Sequence, residues 1–142
     1  MLIRRSRYLA AVRAALAANQ VCALLGPRQC GKTTLARQLA ASRRSHCFDL
    51  ETAGARARLA QPELALAPLT GLVVIDEIQR QPELFATLRP LSDRPGSKAR
   101  FLILGSAAPT LVRGGSETLA GRVGFVDMAG VDPLLDKRLG RT

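Results

Sequence analysis

The stretch VCALLGPRQCGKTTLARQLA, residues 21–40, decides the reading of this chain. It opens on a short apolar run, VCALLG (21–26), which reads as a buried strand. It continues through a glycine-bounded loop into GKTTLARQLAAS (31–42), where Leu35 and Leu39 stand four apart and read as one face of a helix. Between them, Gly26 to Thr33 fits G-x-x-x-x-G-K-[ST] in full, in the strand–loop–helix context that gives the motif its meaning. Glycines let the backbone close around an anion. Inward amides form a nest for it, and the helix behind adds the positive end of its dipole. The candidate phosphate-binding residues are therefore Gly26, Pro27, Arg28, Gln29, Cys30, Gly31, Lys32, Thr33 and Thr34. Lys32 is expected to reach the β- and γ-phosphates of a nucleotide. Thr33 is expected to ligate Mg²⁺ through its hydroxyl, and Thr34 to stand on the α-phosphate side. Arg28 is a second cation that frames the rim. Cys30 is either a thiol made reactive by Lys32 and the helix terminus or a small buried side chain.

Three further stretches point to the same end of the fold. In LVVIDEIQ (72–79) the apolar run carries Asp76 to the tip of a strand, where open α/β sheets bind ligands. Asp76 is the candidate second contact to Mg²⁺, and Glu77 the candidate base for an attacking water. The plainer alternative is a helix cap and first-turn acid. In FLILGS (101–106) a strand ends on Ser106, a hydroxyl for a γ-phosphate or water, or else a simple turn residue. In LAGR (119–122) Arg122 precedes the last apolar run. An arginine there can stabilise the charge that builds during phosphoryl transfer, or can be one of many surface arginines.

The rest of the chain continues the alternation. SHCFDL (45–50), the opening of GLVVIDEIQ (71–79), ARFLILGS (99–106) and VGFVDMAG (123–130) are expected strands. TAGARARLAQPELALA is expected to be helical with a break near Pro62, and Pro82 to begin the helix PELFATLRPL. Continuous apolar runs are the mark of parallel strands covered on both faces. The expectation is a three-layer α/β domain with right-handed crossovers. Its parts are an amphipathic helix packed on the core (1–20), the core itself (21–130) and a polar tail (131–142) for which disorder is one option.

Length and charge bound the alternatives. At 142 residues the chain is about one domain. Aromatics make up 4% with no Trp, so the core must be aliphatic. The net charge of +10 raises a nucleic-acid or acidic-lipid partner, but the arginines are scattered and no aromatics interleave them to stack bases. Nucleic acid is thus the less favoured partner. Cys22, Cys30 and Cys47 have no metal spacing, and reduced thiols in a cytoplasmic setting are the default. The basic N-terminus faintly resembles a targeting peptide, but Arg13 interrupts it, while Tyr8, Leu9, Val12 and Leu16 keep helical spacing. No apolar run approaches the roughly 20 residues of a membrane span.

Taken together, LLGPRQCGKTTLAR, VVIDEIQRQPEL, FLILGSAAP and ETLAGRV resemble a prokaryotic family of AAA-type ATPases, over about Leu2 to Met128 and in the family's motif order. The resemblance implies a P-loop core with an additional strand, order 5-1-4-3-2, in which the strand ending at Ser106 inserts between those ending at Gly26 and Asp76. It implies nucleotide, magnesium, base and sensor roles for Lys32, Thr33, Asp76, Glu77 and Ser106. It implies a finger role for Arg122 toward an adjacent subunit, hence self-association, and ATP rather than GTP, with Mg²⁺, as the ligands. No guanine-type N/T-K-x-D signal is present. Two departures stand out. Cys30 occupies a position where the family has a small aliphatic residue. The sequence also stops at Thr142, where members continue into a C-terminal region with DNA-binding-like elements. The functional expectation is Mg²⁺-dependent ATP hydrolysis, slow in isolation. Its alternative is a nucleotide-binding or interaction module with little turnover.

Overall fold

The computed structural model describes residues 2–27, 31–96, 99–105 and 119–128. Helix α1 (Leu2–Ala18) leads into strand β1 (Val21–Leu25), and α2 (Lys32–Ala40) follows the glycine loop. Next come β2 (Ser45–Asp49), α3 (Ala53–Arg58) and α4 (Pro62–Leu66). Strand β3 (Gly71–Asp76) runs into a 3₁₀ turn at Ile78–Arg80, then α5 (Leu84–Asp93), β4 (Ala99–Gly105) and β5 (Val123–Asp127). The five strands form one parallel sheet in the order β2-β3-β4-β1-β5. This is the expected 5-1-4-3-2 order read from the other edge, with β4 inserted between β1 and β3.

Alternation along the strands divides the core in two. Val21, Ala23, Leu25, Val73, Ile75, Phe101 and Ile103 face one side, where Leu59, Leu66, Leu84, Phe85 and Leu88 of the α3–α5 segment cover them. Cys22, Leu24, Leu72, Val74, Leu102 and Leu104 face the other, under Val12 and Leu16 of α1 and Leu35 and Leu39 of α2. Each fully buried Leu or Ile contributes about 1.5–3 kcal/mol of transfer free energy. Tyr8 and Leu9 pack at the margin of the second cluster, which completes the stripe read from the sequence. Where α1 crosses β5 the packing is close: a Cβ on Gly124 would stand 2.7 Å from Asn19 Nδ2. The far end of α1 is tied to β4. Arg100 donates from Nε to the Leu16 carbonyl (3.1 Å) and from Nη1 to Gln20 Oε1 (2.6 Å). A cation there also complements the helix dipole.

Some boundaries differ from the sequence reading. Pro62 is the first residue of α4, so the break in the predicted long helix falls where proline tolerates a start. Pro82 does not begin α5. Leu84 N–H donates to the Gln81 carbonyl and Phe85 N–H to that of Pro82, a tighter turn that delays the helix by two residues. Strand β4 ends at Gly105. Arg28, Gln29, Cys30, Ser106 and the tail 131–142 lie outside the described residues. Among the described residues no helix is long and apolar enough to cross a membrane.

Candidate functional site

Parallel strands bring all their carboxyl ends to one edge of the sheet. The register pairs Leu25 with Gly105 and with Asp127, and Asp49 with Asp76. At this edge lies a cavity of about 350 Å³. One wall is Gly31 to Thr34, at the start of α2. The other is Asp49, the last residue of β2, with Glu51 just beyond it, and Asp76, the last residue of β3, with Glu77 beside it.

Gly31 caps α2 at φ 99°, a left-handed conformation that glycine adopts without penalty. It turns the chain so that the first amides of α2 stand at the cavity. Lys32 is buried, and its Nζ donates to the carbonyls of Gly26 and Pro27, each at 2.8 Å. The lysine therefore lies folded along the loop, within a side-chain rotation of the space where phosphates would sit. Thr33 Oγ1 donates to Asp76 Oδ2 at 2.7 Å, so the loop hydroxyl and the strand-end carboxylate already touch. Burial raises the Asp76 pKa above the usual carboxylate value. The neighbouring Glu77 and Asp49 add to the rise, and the Thr33 hydroxyl opposes it.

Glu77 stands next to Asp76 at φ 59°, ψ 48°, the one non-glycine residue with positive φ among those described. Left-handed backbone costs a side-chain-bearing residue about 1–3 kcal/mol and clusters at functional sites. The flanks hold it there. Ile78 is fully buried, and Gln81 sends Nε2 to the Leu59 carbonyl at 2.8 Å. Gln79 Nε2 donates to Glu77 Oε2.

The structure thus brings Lys32, Thr33, Thr34, Asp76 and Glu77 to one cavity and does not bring Arg122 there. Arg122 precedes β5, at the amino ends of the strands, and its carbonyl accepts from Val21 N–H at 3.0 Å. A five-residue strand separates it from the loop, about 16 Å by strand rise. Its guanidinium donates from Nε to Asp93 and from Nη1 to the Ala120 carbonyl. Asp49, Glu51 and Gln79 were not singled out from the sequence. The available signal for the first two was FDLE at a strand's carboxyl end.

The donor set suits a divalent cation bound together with phosphates. Thr33 and Asp76 offer hard oxygens side by side, and four carboxylates face a cavity whose lining cation is Lys32. No cluster of three or more His, Cys, Asp or Glu able to hold a metal occurs among the described residues. Magnesium ordinarily keeps several waters and takes one or two protein ligands with substrate phosphates.

An all-parallel sheet with an inserted strand, and a phosphate loop beside an Asp-Glu pair, define a P-loop nucleotide-binding domain of the AAA type. The family described as an AAA domain matches residues 18–132, and the chain belongs to it. Uncharacterized proteins of Mycobacterium bovis and Mycobacterium tuberculosis are each 53% identical over 131 residues. Those matches cover 92% of this chain and 30% of the relatives, so the chain spans under a third of their length. Among solved structures, a Walker-type ATPase of Pyrococcus abyssi superposes with TM-score 0.65 at 15% identity, covering 97% of this chain and 59% of the other. The P-loop NTPase domain of a sigma-54 transport activator from E. coli gives 0.58 at 14%, covering 92% and 96%. Both likenesses bear on the fold.

Proposed function

We propose that the chain binds ATP with Mg²⁺ and hydrolyses it to ADP and phosphate. The observation that carries this reading is the Thr33–Asp76 contact, which joins the phosphate loop to the Asp-Glu strand end in one cavity. Lys32 leaves the carbonyls of Gly26 and Pro27 and turns to the β- and γ-phosphates. Thr33 and Asp76 would hold the magnesium, which when bound would neutralise phosphate charge and help align the terminal phosphoryl group. The Glu77 carboxylate accepts a proton from a water whose oxygen attacks the γ-phosphorus. The bond from that phosphorus to the β–γ bridging oxygen breaks, and ADP leaves with the electron pair.

Arg122 acts on a neighbour's site in this reading, since its own cavity lies a strand length away. Self-association through Arg122 would then accelerate turnover, and the isolated chain is slow. Arg28, Gln29 and Cys30 complete the loop, and Ser106 contacts the γ-phosphate or the water. The proposed setting is cytoplasmic.

The test is phosphate release from ATP, with and without magnesium, by the wild-type chain and by Glu77→Gln. Magnesium-dependent release that Glu77→Gln abolishes supports the reading. Nucleotide binding with no release by either protein leaves a binding module, and release that Glu77→Gln does not reduce removes Glu77 as the base.

A further inference from the structure

Within the turn that follows β3, Ile78 is buried in the core, while its neighbours Glu77 and Gln79 are only partly buried. The turn is braced by Arg80 N–H to the Glu77 carbonyl and Gln81 N–H to the Ile78 carbonyl, both at 3.0 Å. Gln79 is half-buried, and its Nε2 donates to Glu77 Oε2. The next residue, Arg80, reaches instead toward Glu51, at 3.9 Å. The other charged groups lining the cavity with Glu77 are Asp76, Asp49, Glu51 and Lys32. A carboxylate among three others is pushed about by their charge unless a neutral donor fixes it. The Gln79 amide is such a donor. It is uncharged, so it holds the carboxylate without the competition for protons that a lysine would bring.

We infer that Gln79 is the positioning residue for Glu77, its side-chain amide fixing the carboxylate and the left-handed turn that presents it to the cavity. The inference rests on the proposed role of Glu77 as base. Gln79 touches neither nucleotide nor water in this account; it acts through Glu77. Losing it should therefore lower the rate of the chemical step and leave nucleotide binding alone.

The test compares wild type, Gln79→Met, Glu77→Gln and the double variant under single-turnover conditions with protein in excess. Met keeps the volume of Gln79 and removes the donor. A misplaced base costs about ten- to a hundredfold, so Gln79→Met should lose that much in rate. Its affinity for ATP should stay within about twofold of wild type. In the Glu77→Gln background the same substitution should cost nothing further, because the two act as a unit. A second readout needs no nucleotide. In ¹⁵N-labelled protein the Gln79 side-chain amide, assigned by its absence from Gln79→Met, should resonate away from exposed glutamines. In Glu77→Gln it should move toward them. Wild-type turnover by Gln79→Met while Glu77→Gln is inactive overturns the inference alone. Wild-type turnover by Glu77→Gln overturns the base reading and this inference with it. An amide resonance indifferent to Glu77→Gln removes the contact itself.

Discussion

Lys32 Nζ lies 2.8 Å from each of two loop carbonyls, so an arriving nucleotide must offer oxygens that hold an ammonium better than those carbonyls do. Phosphate oxygens do so, because they carry formal negative charge and pair ion with ion, where the loop carbonyls offer the ammonium only a dipole. Lys32→Ala should therefore weaken ATP by at least about tenfold. A nucleotide titration checks this, and affinity within twofold of wild type would end the phosphate-cradle assignment. Asp76 illustrates the opposite balance. Burial places its folded pKa above the unfolded one, so folding favours the protonated form. That contribution is present below the unfolded value and is lost as pH rises through the folded value. At neutral pH the charged side chain is a net cost to the empty fold. Asp76→Asn should then raise Tm while weakening magnesium-dependent nucleotide binding. In the wild type, magnesium affinity should begin to fall at a higher pH than an ordinary aspartate would set. Thermal melts of the two proteins, and metal titrations across acidic pH, decide both points.

At the scale of elements, β3 and its ends carry the strain that positions chemistry. Gly71 starts the strand at φ 84°, and a Cβ there would stand 2.4 Å from the Arg44 carbonyl oxygen. Gly71→Ala should cost more than about 1 kcal/mol, read as a lower urea midpoint at unchanged slope. At the other end, Glu77 is left-handed with a side chain. Glycine normally weakens a regular element relative to alanine, but here the order should invert. Glu77→Gly should be more stable than Glu77→Ala by about 1 kcal/mol. Equal midpoints, or the usual order, would show that the turn relaxes when the carboxylate is gone. These two ends also mark where the sequence was silent. The strands were legible because both faces of a parallel sheet must be apolar, and the alternation of Val21, Ala23 and Leu25 against Cys22 and Leu24 followed directly. The motif residues were legible because glycine and lysine at that spacing do one recognisable job. Glu77's backbone was not, since glutamate carries no left-handed signal. Asp49, which ends β2, and Glu51, just beyond it, were hidden because this edge strand's exposed positions gave a weak pattern.

At the scale of the whole molecule, the question is what an arginine at one end of the sheet does for a cavity at the other. Arg122 pairs with Asp93, at the end of α5, and the pair is partly open to solvent. Within its own chain this contact staples α5 to the start of β5 and leaves the phosphate cavity without that guanidinium. A second copy can receive it only if Asp93 lets it go, which an incoming γ-phosphate on the neighbour would favour by offering a stronger acceptor. Fingers supplied in this way raise turnover by about a thousandfold or more, so a minor population of paired chains would dominate the observed rate. Specific activity should then climb with protein concentration. Arg122→Ala should equal wild type when dilute and fall behind it when concentrated. Asp93→Asn, which loosens the staple, should steepen the climb. Arg122→Ala retains a complete cavity and Glu77→Gln retains the finger, so a mixture of these two slow proteins should exceed the sum of their separate rates. Phosphate release measured across dilution for each protein and for the mixture tests every step. Rates proportional to concentration throughout, with no gain on mixing, would assign Arg122 to the staple alone.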